Sequence, residues 1–240
     1  MNRKDGRNPL DMRPLVLTRD YLPYAEGSCL VELGETRIVT AASVVDGVPQ
    51  WLIGGGSGWV TAEYGMLPRS TRNRMRRPAT STHQNGRTME IQRLIGRTLR
   101  AVTKLKVLKD KTIYVDCDVI NADGGTRVTS IIGAVVALFD AGSRLVNEGA
   151  VREHIVSELV AAISVGVLNG DIMVDLCYEE DSAADVDMNV VMTESGGIVE
   201  VQGTAEGQTF DRETLDSLLD ASELAISSVI DIQKEALGIS

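Results

Sequence analysis

Three groups of residues in this chain have the types and spacing to handle phosphate. The first is Asn121-Ala122-Asp123-Gly124-Gly125-Thr126-Arg127, set between an apolar run at 112–120 and a long apolar segment at 128–146. That order reads as strand, glycine turn, helix. Two glycines let the backbone turn sharply and approach a ligand with no Cβ in the way. Thr126 and Arg127 then fall at a helix start, where N–H groups lack intrahelical partners and the dipole favours an anion. A hydroxyl and a guanidinium there make a phosphate cradle. A plain turn whose polar residues only cap the helix explains the same spacing. The Gly-x-x-x-x-Gly-Lys pattern is absent, so no nucleoside triphosphate site follows. Arg87 precedes a second helical stretch, so Arg87 and Arg127 are expected to meet one anion from two helix starts. The plainer reading of Arg87 is a solvent-facing residue near a cap.

The second group is acidic. Glu179, Glu180, Asp181, Asp185 and Asp187 place five acids in nine positions. Such crowding is costly unless water or a metal offsets the repulsion. Asp181 and Asp187 are expected to bracket a turn between two strands and face one cavity. Oxygen ligands of this kind suit Mg²⁺ or Mn²⁺ shared with phosphate oxygens. A solvated acidic hairpin is the alternative, stronger for Glu179 and Glu180 than for Asp187, which leads into the apolar run Met188 to Met192.

The third group is basic. Arg69, Arg72, Arg74, Arg76 and Arg77 fall in nine positions with no acid among them. This reads as a mobile, positive loop whose guanidinium forks suit a nucleic-acid backbone. Its contacts would position a substrate without reading sequence. Arg93, Arg97 and Arg100 add a basic stripe on the helix that follows.

The elements that must hold these groups are legible as patterns. A hairpin is expected at 15–45, with Cys29, Val31 and Leu33 alternating and a turn at Gly34-Glu35-Thr36. Strands follow at 59–66 and 111–120, with a helix at 88–106 between them. The helix after the glycine turn is apolar nearly all round, which places it at the centre. Strands are expected at 161–169, 170–177, 187–192 and 198–202, then a helix from about Asp211, a good N-cap, to 236. Residues 1–13 read as a loosely held basic arm. Mixed strands and helices, with a long helix closing each half, predict an α+β fold of two packed α/β layers of mixed sheets.

Charge is divided along the chain. Residues 1–150 carry 21 Lys and Arg against 15 Asp and Glu, and residues 151–240 carry 3 against 19. A polyanion partner at the first part and a cation site in the second would fit. Cys29, Cys117 and Cys177 form no C-x-x-C pair, so they read as buried thiols in a reducing compartment. No apolar run approaches the ~18 residues of a membrane span, and no leader pattern is seen, so a cytoplasmic protein is expected. His83 and His154 make no nucleophile–base pair with a cysteine. Phosphoryl transfer by positioning and charge neutralisation remains.

Several motifs taken together resemble the ribonuclease PH family. They are Gln92-Arg93-Leu94-Ile95-Gly96-Arg97, Asp116-Cys117-Asp118-Val119, Asp123-Gly124-Gly125-Thr126-Arg127, Glu180-Asp181-Ser182-Ala183-Ala184, Asp187-Met188-Asn189-Val190-Val191-Met192-Thr193 and Val201-Gln202-Gly203-Thr204-Ala205-Glu206. The resemblance runs in order from about Asp5 to the last helix. It implies one ribonuclease PH-like domain over 1–240, with a ribosomal-protein-domain-like βαβ core, assembling as a homohexameric ring, a trimer of dimers. It implies a phosphorolytic 3′→5′ exoribonuclease, or tRNA nucleotidyltransferase, acting on tRNA precursor 3′ ends. The family's phosphate-binding positions map to Arg87, Gly125, Thr126 and Arg127, and its metal-linked aspartates to Asp181 and Asp187. The loop from Arg69 to Arg77 matches the segment that grips the acceptor stem. Arg93 and Arg97 would steady terminal nucleotides, and Arg87, Asp181 and Asp187 would carry catalysis with Mg²⁺ or Mn²⁺ and inorganic phosphate. A catalytically silent RNA-binding ring subunit is the alternative.

Overall fold

A computed structural model describes residues 3–77, 85–207 and 209–239. The first half builds a five-stranded sheet from β1 (Leu15–Arg19), β2 (Gly27–Leu33), β3 (Thr36–Asp46), β4 (Trp59–Met66) and β5 (Lys111–Asn121). Its order is β1-β2-β3-β5-β4. Strand β4 alone runs parallel to its neighbour, β5. A parallel pair needs a crossover, and α1 (Gly86–Ala101) with α2 (Leu105–Leu108) supplies it. The second half builds a wholly antiparallel sheet from β6 (Val160–Leu168), β7 (Asp171–Val174), β8 (Val186–Thr193) and β9 (Ile198–Ala205), in the order β7-β6-β8-β9. The mixed character expected of both sheets is thus confined to the first, because the connections in the second are too short for a crossover.

Helix α3 (Thr126–Asn147) packs against β2 and β3 on one side and β6 on the other, and α5 (Arg212–Leu237) packs against β6, β1 and α3. Ile131, Ile132, Val135, Val136 and Leu138 of α3 are fully buried. By length and composition α3 is long and apolar enough to cross a membrane, contrary to the sequence expectation. However, 83% of its most apolar window is buried inside the fold. Apolar flanks on every side follow from having a sheet on each face, so the helix serves as core. One contiguous cluster of buried residues runs from Cys29 through α3 to Leu237.

Local departures have local causes. The helix expected over 88–106 stops at Ala101, because Lys104 N–H bonds Ile155 O (2.7 Å) and Thr103 bridges Val156, drawing the chain aside. Asp211 caps α5 as expected, accepting from Thr214 N–H at 2.8 Å. His154 sits half-buried in a loop, its Nε2 3.0 Å from Phe139 O.

The two halves meet at Gly124. Its φ is +79°, and a Cβ there would lie 2.7 Å from Leu176 O, Cys177 C and Tyr178 N. Gly125, with φ +67°, has its nearest would-be contact at 3.3 Å. Gly124→Ala therefore adds backbone strain and a collision with main chain that has nowhere to move. It should destabilise the protein by about 2–4 kcal/mol. Gly125→Ala carries the strain with far less crowding and should cost about 1–2 kcal/mol. Urea unfolding of both variants tests the difference, and equal midpoints would contradict this packing.

Candidate active site

Strand β5 delivers Asn121, and the turn after it reverses direction through two left-handed glycines. Thr36 Oγ1 holds the turn from below, donating to Gly124 O (2.8 Å) and accepting from Asp123 N–H (3.0 Å). Gly125 occupies the N-cap of α3, with no side chain to satisfy the first N–H groups. Those donors are left for a ligand. Thr126 is buried, and its hydroxyl accepts from Tyr64 OH at 3.0 Å. Burial holds the Tyr64 phenol above its ordinary pKa, so it stays a neutral donor.

Arg127 is aimed by two partners. Its Nη1 donates to Glu90 Oε1 (3.2 Å) on α1 and to the Gln202 side-chain oxygen on β9. Arg87 lies at the first turn of α1 and is exposed. Asn85 caps that helix, accepting from Arg87 N–H at 3.2 Å. Both arginines lie within electrostatic reach of Tyr64, Asp181 and Asp187.

The carboxylates come from two elements. The expected turn between strands contains a single helical turn, α4 (Tyr178–Asp181), which carries Asp181 at its end. Asp187 is the second residue of β8, paired across the sheet with Gly166 and Thr204. Burial raises the Asp187 carboxyl to about 6, with Asp181 adding to the rise while Arg127 and Arg87 oppose it. Burial also raises Asp181, against the pull of Arg87 and Arg127, although the residue keeps an exposed surface. Asp187 Oδ1 is buried with no hydrogen-bond partner among the described residues. A carboxylate oxygen left unpaired beside a second carboxylate fits a hard cation that takes oxygen ligands. Among the described residues no group of three or more His, Cys, Asp or Glu is placed to hold a metal. Two carboxylates completed by phosphate oxygens and water is the arrangement Mg²⁺ favours over an all-protein cage.

The other expected residues divide. Arg69, Arg72, Arg74, Arg76 and Arg77 are all exposed along an irregular segment. Its root is tied to the fold: Ser70 is buried and its carbonyl accepts from Ala122 N–H at 2.8 Å, next to the glycine turn. Arg72 lies 3.5 Å from Glu179, which brings the basic segment beside α4. Arg93 and Arg97 are exposed on α1, and Arg97 is engaged by Glu200 at 2.8 Å. His83 lies outside the described residues. Of the acids read as solvated, Glu180 is instead held by Arg3.

Models of the 3′ exoribonuclease family match this chain over residues 11–144, as domain 1, and 158–225, as domain 2. The chain belongs to the 3′ exoribonuclease family of ribonuclease PH-like proteins. Among solved structures it is similar to Rrp46 of rice (Oryza sativa), with a TM-score of 0.79 at 21% identity, covering 98% of this chain and 100% of that one. It is also similar to the exosome of Archaeoglobus fulgidus with RNA bound to the active site, with a TM-score of 0.79 at 21% identity, covering 95% and 91%. An archaeal exosome core gives 0.76 at 21%, covering 98% and 91%. Likeness at this identity is a likeness of fold.

In this exoribonuclease-family chain, Tyr64, Glu90 and Gln202 are site residues that sequence reasoning left without a role. Gln202 stood inside a quoted motif, but nothing in a strand glutamine points to an arginine on another element. The raised Asp187 pKa has a measurable consequence. Between its ordinary 3.8 and about 6 the folded chain holds a proton that the unfolded chain has lost. This carboxyl's contribution to stability is therefore greatest below 3.8 and is lost as pH rises through about 6. In EDTA, Asp187→Asn should stabilise the protein at pH 8 by about 1–3 kcal/mol, the gain disappearing near pH 4. Denaturant titrations across that range check it, and a variant less stable than wild type at pH 8 would contradict the desolvated carboxyl.

Proposed function

We propose that this protein is a phosphorolytic 3′→5′ exoribonuclease that trims 3′ ends of tRNA precursors and other RNA. One observation supports the reading above the others. An arginine from each of two helix starts lies within electrostatic reach of two carboxylates, one on α4 and one on β8, and one carboxylate oxygen there is buried with no partner among the described residues. Arg87, Arg127, the Thr126 hydroxyl and the open N–H groups after Gly125 would bind inorganic phosphate and orient one oxygen toward the terminal phosphodiester. That oxygen attacks phosphorus, the P–O3′ bond breaks, and the 3′ oxygen of the shortened RNA leaves and takes a proton. The product is a nucleoside 5′-diphosphate. A divalent cation bound at Asp181 and Asp187, Mg²⁺ or Mn²⁺, would supply charge neutralisation at the scissile phosphate. The product keeps a phosphoanhydride, so the reaction is reversible and can add nucleotides.

The exposed arginines from Arg69 to Arg77 would carry the RNA backbone, with Arg93 further along α1. Arg97, already paired with Glu200, would join only by exchanging that partner. A homohexameric ring, a trimer of dimers, suits the exposed apolar side chains Tyr24, Trp51, Ile53 and Leu224. A reducing, cytoplasmic setting accords with three free cysteines, two of them buried.

Purified protein with a 3′-extended tRNA should release nucleoside diphosphates only when phosphate is added. Monophosphate products in phosphate-free buffer would mean hydrolysis. Arg87→Ala should lower phosphate-dependent release by about 10²-fold or more while RNA binding persists. A wild-type protein that binds RNA and releases nothing would instead be a silent ring subunit. Alanine at Arg69, Arg72, Arg74, Arg76 and Arg77 should flatten the salt dependence of RNA binding, by about 0.7 in log–log slope for each RNA phosphate no longer neutralised. An unchanged slope would remove that segment from the RNA path.

A further inference from the structure

The amino-terminal arm is not the loose tail its composition suggests. Arg3 has a side chain only 1% exposed, though it lies almost at the start of the chain. Its guanidinium grips Glu180 as a fork, Nε to Oε1 at 2.8 Å and Nη2 to Oε2 at 2.6 Å. The remaining donors reach main-chain oxygens of Val174 (2.8 Å), Asp175 (2.8 Å) and Asp11 (3.1 Å). Glu180 in turn closes the start of α4, accepting from Cys177 N–H at 3.0 Å. Helix α4 has four residues, far too few to hold its own shape. Its last residue is Asp181, one of the two carboxylates of the site.

We propose that Arg3, acting through Glu180, is a positioning residue that fixes Asp181 for the divalent cation. This rests on the metal site proposed above. Tertiary bonds must set the direction of a one-turn helix, and here they come from two sides. Arg3 holds its start from the arm, and the Gly124 backbone packs against residues 176–178 from the phosphate turn. Arg13 joins the two supports, donating to Asp175 Oδ1 (2.7 Å) and Asp123 O (2.5 Å). Phosphate binding leans on the other side of the site, where Arg127 is held by Glu90 and Gln202. Loosening Arg3 should therefore affect the cation and spare phosphate.

The test is Mn²⁺ affinity, read by electron paramagnetic resonance on the full chain in its native assembly, beside calorimetry with inorganic phosphate. Arg3→Met, which keeps the length and removes the fork, should weaken Mn²⁺ binding about tenfold and leave phosphate affinity within about twofold. Arg3→Lys keeps the charge without the fork and should fall between; it also serves if the methionine variant does not fold. Wild-type Mn²⁺ affinity in a folded variant overturns the positioning role. Parallel loss of both affinities overturns it too, since that is what a merely structural arm would give. Mn²⁺ that fails to bind even the wild-type protein overturns the metal site on which the inference stands, a result distinct from either.

Discussion

A carboxylate with no exposure to water, Asp175, joins the parts of this protein that must stay together. Its backbone sits at a left-handed φ of +54°. Its oxygens take the Arg13 Nε and Nη2 donors at 2.8 and 2.7 Å, and Arg7 approaches at 3.3 Å. Burial works against the Arg13 charge, and Asp175 and then Asp123 more than offset it. A buried pair of this kind adds little net stability over an apolar substitute, yet losing one partner leaves the other charge stranded, at about 3–5 kcal/mol. What the pair supplies is geometry. It fixes the end of the second sheet to the glycine turn that follows the first.

That junction decides what the electrostatics can do. Two helix starts and two arginines bring positive potential to one side of a space, while β8 and α4 bring negative charge to the other. Among the described residues, neither cluster is fully neutralised internally. Arg127 does meet Glu90, but its second partner, Gln202, orients without cancelling charge. Burial raises both Asp181 and Asp187, and the Asp181 charge adds to the rise at Asp187. A site left with unspent charge of both signs is suited to a ligand carrying both, such as a phosphate with its cation.

The division of charge along the sequence is therefore only partly a division of function. Much of the acidic stretch is used within the fold. Glu179 meets Lys4 and Arg72, and Glu180 meets Arg3. Those contacts leave Asp181 and Asp187 facing the site. Part of the basic half is used in the same way, since Arg3, Arg7 and Arg13 are largely withdrawn from water. The arginines from Arg69 to Arg77 remain exposed on the surface.

Local pattern was enough for most elements. Alternation marks β2, a short apolar run marks β8, the all-round apolar run marks α3 as core, and Asp211 marks the start of α5. Residue type and spacing were also enough to name Thr126, Arg127, Asp181 and Asp187 as candidates, because a helix start after two glycines and an acid before a buried strand are signals within a few residues. The arm was misread for the opposite reason. Arg3 and Glu180 are 177 positions apart, and a run of polar residues looks the same whether its charges meet water or distant partners. Tyr64, Glu90 and Gln202 were silent on the same ground, since each acts only across space on a residue of another element. The sequence by itself determined which segments fold and which side chains are chemically able. Only the tertiary structure decided which of those side chains are aimed at one another, because burial and long-range pairing, not residue type, set where a charge can point.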